Sequence, residues 1–423
     1  MRRTAKDNRD LPHLSPVEKI ELSESRVGLR LVLVLVLIVA ASIAFAGAVN
    51  GLFTPQTGWQ TIQVNASAGP TCGDEFVFLY DLGSGGAVLR AESREVTDVY
   101  SDACRKAFQL FHTVESFEGV INLRDINLHP NETLTVDQGL YRAFETMERS
   151  GDRTIYLGPI YARYSDLFHC EDESQLLDFD PYLSKEIRES YGADAAYACD
   201  PQAVDLRLLG DNRVCLYVSE DYLAYAKREG IDTFLDFGWL KNAFIADYLA
   251  DVLTEHGYTS GSISSYDGFS RCLDDRSVAY AQNIFDRVDA VIYPAAVMEY
   301  AGPMSVVSLR SYPINEQDRE RFYPLKSGEI RTMYLDPADG LCRSAAQDLL
   351  CYSRTAGCAE TALWVASVYV AEELDTQALR ELTDEGVYSV YSEGWVIHAT
   401  QPEIRLTQLY QSEQAGYTVS TDQ

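Results

Sequence analysis

The chain has 423 residues, 46% of them apolar and 11% aromatic, and carries a formal net charge of -29. That length allows one large domain or two modest ones, with enough apolar material for an ordinary core. The negative charge argues against nucleic acid or an anionic membrane surface as a partner, because like charge repels both over a Debye length.

Residues 31–49, "LVLVLVLIVAASIAFAGAV", contain no charge and come close to the roughly 20 residues that a helix needs to span the hydrocarbon core. Seven basic residues precede this run (Arg2, Arg3, Lys6, Arg9, Lys19, Arg26 and Arg30). The positive-inside bias therefore predicts a cytoplasmic N-terminus over 1–28, one transmembrane helix over 29–50, and an extracytoplasmic remainder of a single-pass cell-membrane protein. Ala44-Phe45-Ala46 has the small-x-small form of a cleavage site, so a removed signal peptide is the alternative. The length of the basic segment and of the apolar run favours the anchor. Residues 51–70 are rich in Gly, Ser, Thr and Asn and read as a linker.

Beyond the linker, "EFVFLYDLG" (75–83) predicts a strand and residues 91–112 a helix. Residues 134–151 predict a second helix, with Asp137 as N-cap and Gly151 just past its end. "LRLLGDNRVCLYV" (206–218) reads as a hairpin, two apolar runs about a Gly-Asp-Asn turn. In "LDFGWLKNAFIADYLADVLTEHG" (235–257), Leu240, Phe244, Tyr248, Val252 and His256 recur at four-residue steps and predict an amphipathic helix ending at Gly257. Asp247, Asp251 and Glu255 then fall on a solvated face, and Asp236 stands where an N-cap belongs. "VYSVYSEGWVIHAT" (387–400) repeats the hairpin pattern about Glu393-Gly394. Helices mixed with hairpins indicate an α+β domain of mixed antiparallel sheets over 71–410, followed by a polar tail over 411–423. All nine cysteines follow the apolar run; their odd number and the absence of C-x-x-C spacing favour buried thiols over disulfides or zinc. The six histidines show no H-E-x-x-H or triad-like spacing.

The order of several short segments resembles the ApbE family of FAD:protein FMN transferases over roughly residues 75–400. "FEGVINLRDINLHPNETLTVDQGLYRAF" is similar to the family's early loop and following helix, and "SGDRTIYLGPIYARY" keeps Gly158 and Pro159 of its next segment. "LDFGWLKNAFIAD" resembles "DLGGIAKGYAVD", keeping Asp236, Gly238 and Asp247. "IRTMYLDPADG" resembles "YSHILDPRTG", keeping Leu335, Asp336, Pro337 and Gly340. "AGCAETALWV" resembles "ADALATALFV", keeping Ala356, Thr361, Ala362 and Leu363. The resemblance implies an enzyme that binds FAD and Mg²⁺ and links FMN to a Thr or Ser of an exported redox protein. It implies cofactor contacts from Asp236, Gly238, Asn242, Tyr334 and Asp336. It implies metal contacts from Glu360, Thr361 and a backbone carbonyl near Trp239, since hard oxygen ligands suit magnesium.

The departures from the pattern fall where the chemistry is concentrated. Trp239, Lys241, Asn242 and Ala243 stand where the family has glycine, alanine, lysine and glycine, so side chains interrupt a backbone that would cradle phosphate. "NAGGD" has become "SSYDG" (264–268), Met333 replaces a histidine, and Gly357 stands where a metal-binding aspartate belongs. No residue is assigned a catalytic role. The expected function is an anchored, exported ApbE-like domain without transferase chemistry, whose partner is a small flavin or nucleotide-like molecule or an exported protein. An active Mg²⁺-dependent transferase using Tyr334 or His398 as base is one alternative. A scaffold protein whose cleft is filled by Trp239, Tyr266 and Met333 is the other.

Overall fold

A computed structural model describes residues 57–83, 87–400, 404–412 and 416–421. In it the alternation of "FVFLYDL" becomes a strand with Phe76, Phe78, Tyr80 and Leu82 turned into the core. That strand is the second of a nine-stranded sheet whose spatial order follows the chain. The strands are β1 (Gly58–Ile62), β2 (Phe76–Leu82), β3 (Gly261–Ser265), β4 (Phe269–Cys272), β5 (Met304–Arg310), β6 (Asp348–Ser353), β7 (Val387–Glu393), β8 (Val396–Ala399) and β9 (Thr418–Thr421). Neighbours are antiparallel except β8 and β9, which run parallel.

Every residue of the central strands β5 and β6 is buried, because both of their faces are covered. Val307, Leu309, Leu349 and Cys351 face a helical layer, while Met304, Val306, Leu350 and Tyr352 face a second, smaller core. The smaller core lies under a long hairpin, Ala279–Val288 with Val291–Ala301, to which Arg405–Thr407 adds a third strand. Its turn residues Asp289 and Ala290 both have positive φ, the geometry that a two-residue hairpin loop demands.

The helical layer consists of α1 (Ala87–Leu110), α2 (Gln138–Ser150), α3 (Lys241–Glu255) and α4 (Cys358–Tyr369). Helix α3 packs against α1, α4 and strands β3 and β4, so it is apolar on most sides rather than on one stripe. Helix α2 carries the expected caps, with the Asp137 side chain accepting from the Gly139 N–H and Gly151 left-handed at the other end. Both expected hairpins are present, Val204–Leu208 with Arg213–Val218 and β7 with β8.

Three sequence expectations are corrected. Part of the expected linker 51–70 is strand β1, whose main chain pairs with β2 across its whole length. The expected tail 411–423 contributes β9, an edge strand held by backbone pairing to β8. Asp236 does not cap α3: a turn of 3-10 helix, Gly238–Leu240, comes first, and the residue before α3 is Leu240, with no side-chain cap. The expected segments 1–28 and 29–50 lie outside the described residues. Among the described residues no helix is long and apolar enough to cross a membrane.

Candidate functional site

The start of α3 and the turn before it border a cleft of about 350 Å³. Phe108, Phe111 and His112 at the end of α1 form one wall, Asp267 and Met333 come from two loops, and Glu75 and Cys72 precede β2. Of the residues that the resemblance assigns to a cofactor, Asp236, Gly238 and Asn242 line this cleft.

Local structure explains each of them. The Asp236 carboxylate accepts from the Gly238 N–H at 2.8 Å and so shapes the turn. Gly238 has φ +53°, and a Cβ there would collide with the Tyr161 ring, so the glycine serves a packed aromatic rather than a phosphate. Trp239 turns away from the cleft into the core, 1% exposed, and meets Tyr334 edge-on at 5.3 Å. Tyr334 is itself buried and packs edge-on against Tyr369 at 5.1 Å. Asp336 lies in its own turn, accepting from the Ala338 N–H at 2.9 Å and pairing with Arg343 at 2.9 Å. Neither Tyr334 nor Asp336 borders the cleft.

The cleft is rich in carboxylates. Asn242 donates through Nδ2 to Glu75 at 2.8 Å and to Asp267 at 2.9 Å, while Lys241 lies 3.5 Å from Glu75. Burial pushes the Asp236 and Asp267 carboxyls up, opposed for Asp236 by the Gly238 N–H and for Asp267 by Arg321. His112 is held neutral: burial lowers its pKa, and Nδ1 accepts from the Glu115 N–H at 2.9 Å. That bond places the ring proton on Nε2, so His112 has no free acceptor nitrogen with which to act as a base.

A second arrangement lies at the start of α4. Gly357 precedes the helix and offers no side chain to its free N–H groups. Asp247, reaching across from α3, accepts from the Cys358 N–H at 2.8 Å and the Ala359 N–H at 2.9 Å and pairs with Arg271 of β4. Asp247 is therefore a helix cap supplied by a neighbouring helix, not part of a solvated row. A Cβ on Gly357 would come within 2.8 Å of the Asp247 Cγ, so an aspartate at 357 and this placement of Asp247 exclude each other.

These donors do not fit Mg²⁺, which demands six oxygens in octahedral array. Both Asp247 oxygens are engaged by N–H groups and the guanidinium. Thr361 is fully buried with its hydroxyl unpartnered, and Glu360 borders a different groove, shared with Arg142, Asp251 and Arg271. Among the described residues no cluster of three His, Cys, Asp or Glu could hold a metal ion.

Glu75, His112 and Arg321 also line the cleft. Each stands outside the segments that carry the resemblance, and only the fold brings them to α3.

No family model matches the chain's sequence, and no curated protein does. The architecture is nevertheless that of a defined class: the fold is ApbE-like, as the sequence resemblance led us to expect. The chain is similar to the ApbE protein from Thermotoga maritima with a TM-score of 0.52 at 13% identity, over 83% of this chain and 97% of that one. It is similar to the flavin transferase ApbE from Vibrio cholerae with a TM-score of 0.52 at 12% identity, over 83% and 98%.

Proposed function

We propose that the chain is a ligand-binding domain of ApbE-like fold that holds a flavin-type ring in the cleft beside α3 and does not transfer FMN. The observation that carries this reading is the pairing of an open cleft with a closed metal end. About 350 Å³ remains free beside Asp236, Lys241 and Asn242, within the usual range of small-molecule sites. At the start of α4, by contrast, Asp247 and Arg271 satisfy each other and the helix. Transfer would further need a base, and Met333, which borders the cleft, has no proton to exchange. Tyr334 and His398 do not border it. The scaffold alternative is disfavoured because Trp239 is packed in the core and Tyr266 is 44% exposed, so neither fills the cleft.

We further propose that residues 29–50 anchor the domain on the outer side of a cell membrane, a reading supported by the uncharged run at 31–49 and the basic residues before it. Protease added to intact cells should digest the domain; complete protection contradicts the topology. Ligand binding is tested by titrating flavins into the purified chain and following flavin fluorescence. Saturable quenching is expected, and its absence with every flavin contradicts the reading.

A further inference from the structure

We propose, resting on the ligand-binding reading above, that the cleft selects a phosphate-free ligand bearing N–H and hydroxyl donors. In the flavin series this means the uncharged riboflavin type rather than its nucleotides.

The charges around the cleft point this way. Four carboxylates line it (Glu75, Asp236, Asp267 and Glu320) against two cations, Lys241 and Arg321. Neither cation is idle: Lys241 pairs with Glu75 at 3.5 Å, and Arg321 donates to the Tyr266 carbonyl at 3.0 Å and pairs with the buried Asp318 at 2.5 Å. His112 is neutral and adds no positive charge. A phosphate entering here would meet the Glu75 and Glu320 carboxylates and two buried carboxyls, with both cations already paired.

The backbone offers no substitute. A helix start usually presents free N–H groups to an anion, but the 3-10 turn before α3 uses them. The Leu240 N–H donates to the Phe237 carbonyl, the Lys241 N–H to the Gly238 carbonyl, and the Gly238 N–H to Asp236. The helix dipole already faces the protein's own carboxylates.

The unmet hydrogen-bonding capacity is of the opposite kind. Asn242 lines the cleft, is 5% exposed, spends both of its amide hydrogens on Glu75 and Asp267, and leaves Oδ1 buried without a partner. The Asp267 Oδ1 is likewise buried and unpartnered. Reversing the Asn242 amide would set its oxygen against two carboxylates, so the acceptor oxygens of Glu75 and Asp267 fix which end is left over. Two buried acceptors with no donor call for a ligand that supplies N–H or O–H groups. Phe108, Phe111 and Met333 supply apolar wall for a flat ring.

The test titrates the purified full-length chain with riboflavin, FMN and FAD, following flavin fluorescence at one ionic strength. Riboflavin should bind at least roughly tenfold more tightly than FMN. The Glu75→Gln variant, which releases Lys241 from its pair, should raise FMN affinity and narrow that ratio. Asn242→Leu should weaken riboflavin by roughly tenfold while circular dichroism and the melting temperature report whether it is folded. FMN or FAD binding as tightly as riboflavin overturns the charge argument and leaves the ligand-binding reading standing. Failure of all three flavins to bind overturns both. A folded Asn242→Leu variant that binds riboflavin normally overturns the assignment of the unmet acceptors.

Discussion

Replacing Asp247 by alanine removes one side chain that does two jobs at once. Its carboxylate caps α4 through the Cys358 and Ala359 N–H groups and neutralises Arg271. Loss of a cap costs about 1 kcal/mol. An unpaired buried charge would cost about 3–5 kcal/mol. Both side chains of this pair are 23% exposed, so water can reach the guanidinium and we halve that figure to about 2 kcal/mol. The sum, about 3 kcal/mol, corresponds in a domain of this size to a fall of about 4 °C in melting temperature. Urea unfolding of Asp247→Ala, Arg271→Met and the double variant supplies the coupling directly. The double variant should cost less than the two single ones together, because it leaves no orphaned charge. Asp247→Asn, which keeps an acceptor oxygen but no charge, should fall between wild type and Asp247→Ala. A change below about 0.5 kcal/mol in Asp247→Ala, or strict additivity in the cycle, would show that Asp247 neither caps α4 nor neutralises Arg271.

Other consequences follow from the same geometry. Gly357→Asp should lower the melting temperature and leave it insensitive to millimolar Mg²⁺, because the new Cβ meets Asp247; a Mg²⁺-dependent rise would contradict this. Trp239→Gly should destabilise by about 3–5 kcal/mol in urea unfolding without opening a phosphate site, since the indole fills core rather than cleft. Burial pushes Asp348 of β6 up to about 7, against the opposing pull of Arg310. Its stabilising contribution is thus complete below about pH 4 and lost as the pH rises through 7. Asp348→Asn should therefore gain on wild type across that window, by at most about 4 kcal/mol; a midpoint difference that is flat with pH argues against it.

Elements with local signals were legible. The Asp137 and Gly151 caps, the alternation in "FVFLYDL" and the turn residues of two hairpins each act within a few positions of where they stand. Strands β1 and β9 were not, because their sequences, "GWQTI" and "TVST", become strand only through pairing with β2 and β8. The same distinction governs the site. Asp236, Gly238 and Asn242 lie in one segment and reach the cleft together. Asp247 looked like one of three solvated acids at helical spacing, since its partners Cys358 and Ala359 are 111 and 112 residues away. Arg271 gave no sequence signal at all, and its role rests entirely on β4 passing beside α3.

On the proposed function, the domain holds a ligand in its cleft and does not carry out transfer. The most direct measurement incubates the purified chain with FAD, Mg²⁺ and an exported acceptor protein bearing the family's Thr-containing motif, then reads the acceptor's intact mass. An unmodified acceptor is expected. An FMN adduct that forms with the wild-type chain and disappears in Thr361→Ala would contradict it.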